Sequence, residues 1–146
     1  MKPQSEGGFL IAKIHQLAGR IFARMLKENK IEINPAQGRI MFVLWKNDQI
    51  PITELAKRTS LEKSTLTSML DRLEAAGYAA RVPSPDDRRK ILIKRTAKDK
   101  AWQKTYTRVS QQMTDLFYAG FSRAEIDEFE RYLKRIFDNL SAAGGE

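Results

Sequence analysis

The sequence contains no cysteine and only one histidine, His15, among its 146 residues. Without cysteine the chain has no disulfide scaffold, no thiol nucleophile and no thiolate zinc site, and it cannot sense oxidants through a thiol. A lone histidine argues against a histidine-built metal centre and against a histidine-based catalytic triad. We therefore expect neither a metal nor a cofactor.

Long apolar runs are also missing. No stretch approaches the roughly 20 apolar residues of a membrane span, and the first ten residues, MKPQSEGGFL, have no apolar core of the kind found in signal peptides. We find no glycine-rich phosphate loop, no nucleophile with a paired base and no carboxylate pair at a recognisable spacing. The expectation is a soluble, cytoplasmic protein that is not an enzyme and has no membrane partner.

The abundant feature is positive charge, with 26 Lys and Arg against 18 Asp and Glu and a formal net charge of +8. Residues 1–51 carry 8 basic and 4 acidic side chains, residues 52–96 carry 10 and 6, and residues 97–146 carry 8 of each. The surplus is densest at Arg88, Arg89 and Lys90, with Lys94 and Arg95 close behind. Charge concentrated in one short segment favours contact with a polyanion.

Hydrophobic periodicity predicts a mainly α fold with one small β-hairpin, in the order α-α-α-α-β-β-α-α. Asn34 followed by Pro35 is typical of a helix start, and Ser122 with Glu125 has the spacing of a capping box. The turn sequence PSPDD separates two β-prone runs, YAARV and ILIKRT. The predicted helices cover about 9–29, 34–46, 53–59, 62–77, 96–118 and 122–140. Thr53 and Thr96 are the expected caps of the third and fifth helices, and Gly77 suits a left-handed position after the fourth.

Helix, short turn, helix and basic hairpin within residues 52–96 form the arrangement of a winged helix-turn-helix. The second short helix fits the major groove of DNA, and an arginine on the hairpin fits the electronegative minor groove. The outer face of that helix carries Ser64, Ser68 and Asp71, and small hydroxyl side chains suit close approach to bases and phosphates. The pattern favours double-stranded DNA as the partner. The alternative is a winged-helix protein-interaction module that does not bind DNA.

The same stretch contains Leu55–Ala56, Arg72–Leu73–Glu74, Gly77, Arg81 and Asp87–Arg88–Arg89. In these residues it resembles the core of the MarR family of bacterial transcription regulators, and the resemblance covers nearly all of residues 9–140. Two departures stand out. Many members carry an arginine or another long polar residue where this chain has Ser68, and the family often follows the wing with Leu-Thr-x-x-Gly, where this chain has Arg95, Thr96 and Asp99.

The resemblance implies roles for residues of the recognition helix and the wing. Arg89 would enter the minor groove with Asp87 as its brace, and Arg88 and Lys90 would contact phosphates. Arg72 and Arg81 would bind phosphates or form structural salt bridges, and both interpretations stay open. The residues that would read or flank the major groove are Lys63, Ser64, Thr65, Thr67 and Ser68.

The resemblance also implies a homodimer on a pseudo-palindromic operator, a repressor by family habit, and a response to a small aromatic or phenolic effector. Plain core packing is the alternative for most of the effector candidates, and His15 is also a candidate for a pH or anion response because its unperturbed pKa lies near neutrality. The candidate effector residues are His15, Met41, Phe42, Trp45, Trp102 and Tyr106.

The terminal helices carry apolar stripes that a small winged domain has little core to bury, so pairing of two chains through these helices is expected. The alternative is a monomer in which the sixth helix folds onto the first. The expected division places a helical dimerisation region in residues 1–30 and 97–146 and the winged helix-turn-helix DNA-binding domain in residues 31–96.

Overall fold

The computed structural model describes residues 4–145 and opens with two helices. The first, α1, spans Gly7–Glu28 and carries the apolar stripe that the residue spacing predicts, but Leu26 is its only buried residue. The second, α2, spans Pro35–Lys46. Asn34 Oδ1 accepts the Gln37 backbone N–H at 2.8 Å, and the Gln37 side chain accepts the Asn34 N–H at 2.9 Å. The predicted cap is therefore confirmed and is a full capping box.

Three strands form an antiparallel sheet in the order β1-β3-β2, with β1 at Ile50–Pro51, β2 at Ala79–Pro83 and β3 at Ile91–Arg95. The hairpin β2–β3 is the predicted one. Strand β1 was not predicted, because two residues are too few to show alternation, so the element order is α-α-β-α-α-β-β-α-α. Ile50 lies opposite Ile93, and both side chains are buried. The added strand ties the base of the wing to the segment after α2.

The two short helices between β1 and β2 are α3, Ile52–Thr59, and α4, Lys63–Ala75. The prediction that Thr53 caps α3 is wrong: Pro51 holds the cap position in an extended conformation, and no side chain caps the helix. Strand β1 runs straight into α3, so Thr53 already lies in the first turn. Gly77 has φ +85°, as predicted for the residue that closes α4.

The last two helices are α5, Ala97–Phe117, and α6, Arg123–Gly144. Thr96 Oγ1 accepts the Asp99 N–H at 3.1 Å, which confirms the predicted cap of α5. Ser122 Oγ accepts the Glu125 N–H at 3.1 Å and the Glu125 carboxylate accepts the Ser122 N–H at 2.8 Å, so the capping box of α6 is confirmed too. The hydrogen bonds from Ser122 lower the pKa of the Glu125 carboxyl.

The described chain forms two compact units, one up to Ser110 and one from Gln111 onward, and α5 contributes to both. The hydrophobic core lies in the first unit. The expected dimerisation region, residues 1–30 and 97–146, remains a prediction, and residues 1–3 and 146 lie outside the described part. The wholly or almost wholly buried core side chains are Leu26, Ile40, Met41, Leu44, Leu55, Leu66, Leu70, Leu73, Ile93 and Val109.

Candidate nucleic-acid interface

The outer face of α4 presents the small hydroxyl side chains to solvent. Leu66, Leu70 and Leu73 are buried on the inner face, and their spacing of three and four residues turns the other face outward. This outer face borders an open depression of about 690 Å³ lined by Glu62, Lys63, Ser64, Thr67, Ser68 and Asp71. All five residues predicted to read or flank the major groove are exposed, namely Lys63, Ser64, Thr65, Thr67 and Ser68.

The tip of the wing is held in shape by Asp87. Its carboxylate accepts the Arg89 backbone N–H at 3.0 Å and the Arg89 Nε–H at 3.2 Å, so the predicted contact between the two side chains is present. The Arg89 side chain is 91% exposed, and Arg88 and Lys90 are exposed as well. The Ser84 N–H donates to the Lys90 carbonyl at 2.9 Å and closes the hairpin next to the tip. The wing therefore presents a braced arginine between two further cations.

Arg81 and Arg72 differ in their surroundings. The Arg81 guanidinium donates to Glu74 Oε1 at 3.0 Å, to Asp71 Oδ1 at 2.8 Å and to the Thr67 carbonyl at 3.3 Å. These bonds fasten β2 to α4, so for Arg81 the geometry favours the structural salt bridge over phosphate contact. Arg72 is exposed and forms no ion pair with any other residue of the described chain.

The junction between β3 and α5 contains a buried ion pair that the sequence reasoning missed. Arg95 Nε donates to Asp99 Oδ2 at 2.6 Å, and the Trp45 indole N–H donates to Asp99 Oδ1 at 2.7 Å. Asp99 is wholly buried, although ionised groups leave water only at a considerable cost. The clue in the sequence was the joint departure of Arg95 and Asp99 from the Leu-Thr-x-x-Gly pattern, which indicated an altered junction but not a pair.

Aromatic rings cluster beside this junction. Trp102 lies with its ring centroid 4.8 Å from that of Tyr78, 5.8 Å from Trp45 and 5.4 Å from Tyr106, each in an edge-to-face arrangement. Burial raises the pKa of the Tyr106 phenol to about 12. A Cβ added at Gly38 would overlap the Tyr106 hydroxyl oxygen, so any larger residue there would force the tyrosine to move. The Trp102 indole N–H is buried and has no hydrogen-bond partner among the described residues.

The six candidate effector residues do not share one environment. The structure brings Trp45, Trp102 and Tyr106 together in the aromatic cluster. Met41 is buried in the core, whereas Phe42 is 55% exposed with Lys46 Nζ 4.4 Å from its ring centroid.

The sixth candidate, His15, is exposed on α1. The three clustered aromatic residues are therefore the better-defined part of the predicted pocket.

Both terminal helices expose apolar side chains. On α1 the exposed residues follow a helical stripe, and α6 has no buried residue in its whole length. Such faces are unusual on a monomeric protein unless they bind something. The exposed apolar residues are Phe9, Leu10, Ile11, Ile14 and Leu17 on α1 and Tyr132, Ile136, Phe137 and Leu140 on α6.

Within residues 4–145, no group of three or more His, Asp or Glu side chains is arranged to hold a metal ion. None of the described helices is both long enough and apolar enough to cross a membrane.

Comparison with known proteins agrees with this geometry. The model of the MarR family matches residues 33–91, about two fifths of the chain, from the start of α2 to the start of β3. The crystal structure of a mutant of Escherichia coli MarR complexed with operator DNA superposes with a TM-score of 0.79, at 28% identity, over 88% of this chain and 91% of that one. The chain belongs to the MarR family.

A relative and a second structure extend the comparison. The HTH-type transcriptional repressor IacR of Pseudomonas putida is 24% identical over 132 residues, which are 90% of this chain and 78% of that protein. The structure of BpsR from Bordetella bronchiseptica, described as regulated in its DNA binding by 6-hydroxynicotinic acid, has a TM-score of 0.82 at 22% identity and covers 94% of this chain and 99% of that one.

Membership settles the general class of activity. This MarR-family chain is a DNA-binding transcription regulator with a winged-helix fold, as the sequence predicted. The expectation that it is not an enzyme is confirmed on the same ground, because its characterised relatives are transcription regulators.

Proposed function

We propose that this chain is a ligand-responsive repressor that acts as a homodimer on a pseudo-palindromic duplex operator. The observation that carries the proposal is the pairing of an exposed hydroxyl face on α4 with a braced, exposed Arg89 at the wing tip. In this arrangement α4 reads the major groove through Ser64, Thr65, Thr67 and Ser68, and Arg89 enters the neighbouring minor groove.

Phosphate contacts supply most of the affinity. Lys63, Arg72, Arg88 and Lys90 are exposed, and none of them forms an ion pair with another described residue, so all four cations are free for the DNA backbone. Each phosphate that such a residue neutralises steepens the salt dependence of binding by about 0.9 in the log–log slope.

The experiment is selection of bound duplexes from random or genomic DNA with the full chain. It yields the operator, and an inverted repeat with half-site centres about 34 Å apart is the outcome that supports a dimer on DNA. Enrichment of no duplex sequence would overturn the proposal and favour a winged-helix module that binds a protein instead.

On the selected operator, Arg89→Ala is expected to weaken binding by about 1–3 kcal/mol, because the minor-groove arginine is lost. Lys90→Ala is expected to flatten the salt slope by about one phosphate equivalent. Lys134→Ala, an exposed cation of α6, is the matched control that leaves both quantities unchanged. Wild-type affinity for Arg89→Ala would contradict the assignment of the wing.

The homodimer rests on the exposed apolar faces of α1 and α6. A second copy of the chain presents the same faces, so a two-fold symmetric contact would cover the same face on both copies. The last third of the sequence, which includes α6, carries 8 basic and 8 acidic residues, so two copies meet there without net repulsion. Sedimentation equilibrium measures the expected dimer, and a monomer at operator-binding concentrations would contradict it.

For the effector we favour a small aromatic acid. The regulation of BpsR by 6-hydroxynicotinic acid is a precedent on the same fold, and the Trp102 indole N–H is a buried donor without a partner among the described residues. Titration of the operator complex with 6-hydroxynicotinate and salicylate is expected to release DNA from the wild-type chain. Release that is unaffected by Trp102→Phe would exclude this donor, and release that is unaffected by His15→Ala would exclude His15.

A further inference from the structure

The base of the wing is joined to three other segments through Arg95. Its side chain contacts Asp99 and Gln103 of α5, and its backbone N–H donates to Asp48 Oδ1 at 2.8 Å in the segment between α2 and β1. Asp99 in turn accepts the indole N–H of Trp45 from α2. The last residue of β3 is therefore held from two helices and a loop at once.

Neither member of the pair is accessible to solvent to any great extent. The Arg95 side chain is 14% exposed and that of Asp99 is 0% exposed. Both carboxylate oxygens of Asp99 have a donor, one from the arginine and one from the indole. When the two side chains of a buried ion pair shift relative to each other, they lose hydrogen bonds that water cannot replace. Apolar side chains at the same positions would keep most of their contact energy after a similar shift.

Both residues are departures from the family pattern, and they are partners of each other. They occupy the positions of the leucine and the glycine in Leu-Thr-x-x-Gly, and the matched family model ends at residue 91, before either of them. A buried pair of charges is weak support for stability, because apolar residues of similar volume do as well or better. The pair therefore needs another explanation. Its position supplies one, because Arg95 is the last residue of β3, at the end of the strand next to α5, which we call the foot of β3.

Strand β3 links this foot to the wing tip. It pairs with β2 along its whole length, from Arg95 opposite Ala79 to Ile91 opposite Pro83, and the hydrogen bond from Ser84 N–H to the Lys90 carbonyl extends the ladder by one residue. From Arg95 to Ile91 the strand covers roughly 13 Å at about 3.3 Å per residue, and Arg89 lies in the turn just beyond it. A tilt of about 5° at the foot therefore displaces the far end of the strand by about 1 Å. A displacement of that size breaks a hydrogen bond.

We propose that the buried Arg95–Asp99 pair, completed by Trp45, positions the wing so that Arg89 meets the minor groove. The inference rests on the proposed role of Arg89 in DNA binding. Arg95 and Asp99 are positioning residues in this account, since neither contacts DNA. Their contribution to affinity passes through Arg89, so it disappears when Arg89 is absent.

The test is a double-mutant cycle on the selected operator. The variant Arg95→Leu/Asp99→Ala removes both charges and leaves no lone buried ion, and Asp99→Asn keeps the shape and the acceptor for Trp45. In the wild-type chain Arg89→Ala is expected to lower affinity about 5- to 150-fold. In Arg95→Leu/Asp99→Ala the same change is expected to lower it by no more than about threefold, because the two sites are coupled.

The control is the exposed pair of Arg123 and Asp127 in α6, which has the same spacing and an Nη2–Oδ1 distance of 2.8 Å. Asp127→Asn is expected to leave the effect of Arg89→Ala at its wild-type size. Circular dichroism identifies temperatures at which each variant is folded, and Asp99→Asn replaces the double variant if the latter does not fold. Amide exchange at Ser84, expected to be faster in either variant, reports on the wing without DNA.

Three outcomes overturn the inference. A full effect of Arg89→Ala in a folded junction variant would show that the pair serves only the fold. An equal loss of coupling in Asp127→Asn would show that the effect is not particular to the junction. Wild-type protein that binds no duplex would refute the proposed function itself, and that result is distinct from normal binding with unaltered coupling.

Discussion

Helices α2 and α6 are both amphipathic, yet they differ completely in what they bury. Five of the 12 residues of α2 are buried, among them Ile40, Met41 and Leu44, whereas none of the 22 residues of α6 is buried in the described chain. Periodicity in the sequence shows that a helix has an apolar side, but it does not show what covers that side. For α2 the covering elements lie in the same compact unit, the one up to Ser110. For α6 we propose a second copy of the chain.

The largest expected effect tests whether the buried apolar side chains form a tightly packed core. Leu73 of α4 is wholly buried, so Leu73→Ala is expected to lower the free energy of unfolding by about 2–5 kcal/mol through lost contacts and a residual cavity. Urea denaturation followed by circular dichroism measures the loss. A loss below about 1 kcal/mol would show that the core of the first compact unit is loosely packed, and the contrast in burial between α2 and α6 would then weaken.

A second expectation compares two tyrosines. Burial raises the pKa of Tyr106 to about 12 from an ordinary value of 10.0, so the folded chain holds the phenolic proton more tightly than the unfolded chain does. Stability is therefore full below about pH 10 and falls as the pH rises from about 10 to 12, by about 3 kcal/mol in total. Tyr132 of α6 is exposed, and solvent screening keeps its share of this loss small.

Denaturation across that pH range in Tyr106→Phe and Tyr132→Phe separates the two residues. The first variant is expected to lose most of the alkaline dependence, and the second is expected to keep it. The pKa of Tyr132 is also raised, by its hydrogen bond to Glu128, but that side chain is half exposed. Equal behaviour of the two variants would contradict the difference in burial.

The smallest expected effect concerns α6. Leu140 is 67% exposed, so Leu140→Ala is expected to leave the monomer unaffected and to weaken the proposed dimer by about 1–2 kcal/mol, the value of one leucine side chain partly buried in an interface. Sedimentation equilibrium gives the dissociation constant. Lys134→Ala, on another face of the helix, is the control. An unchanged constant for Leu140→Ala would place the contact elsewhere on α6.

Local sequence features predicted most of the secondary structure. Asn34, Thr96, Ser122 and Gly77 hold the capping and turn positions expected of them, because caps and left-handed turns depend on a few neighbouring residues. Two local predictions failed for the same reason. Strand β1 is too short to show a pattern, and its pairing with β3 carries the chain into α3 at Pro51, which displaces Thr53 from the cap.

For the candidate site, the exposed face of α4 and the contact between Asp87 and Arg89 could be expected from the sequence, since both involve residues close together in the chain. The roles of the other arginines could not. Arg81 bonds to residues 7, 10 and 14 positions earlier, and that choice among acceptors exists only after β2 is placed beside α4.

The sequence by itself determined the class of this protein: a cysteine-free, basic, mainly helical chain with a winged helix-turn-helix and a cation-rich wing tip. Composition and short-range spacing suffice for that, because they set helix faces, caps and local charge. Only the tertiary structure decided which charges are exposed and which are paired or buried. The ion pair of Arg95 and Asp99 has the ordinary helical spacing of four, but its burial depends on Trp45, more than 50 residues away in the chain, and long-range packing alone brings that indole to the carboxylate.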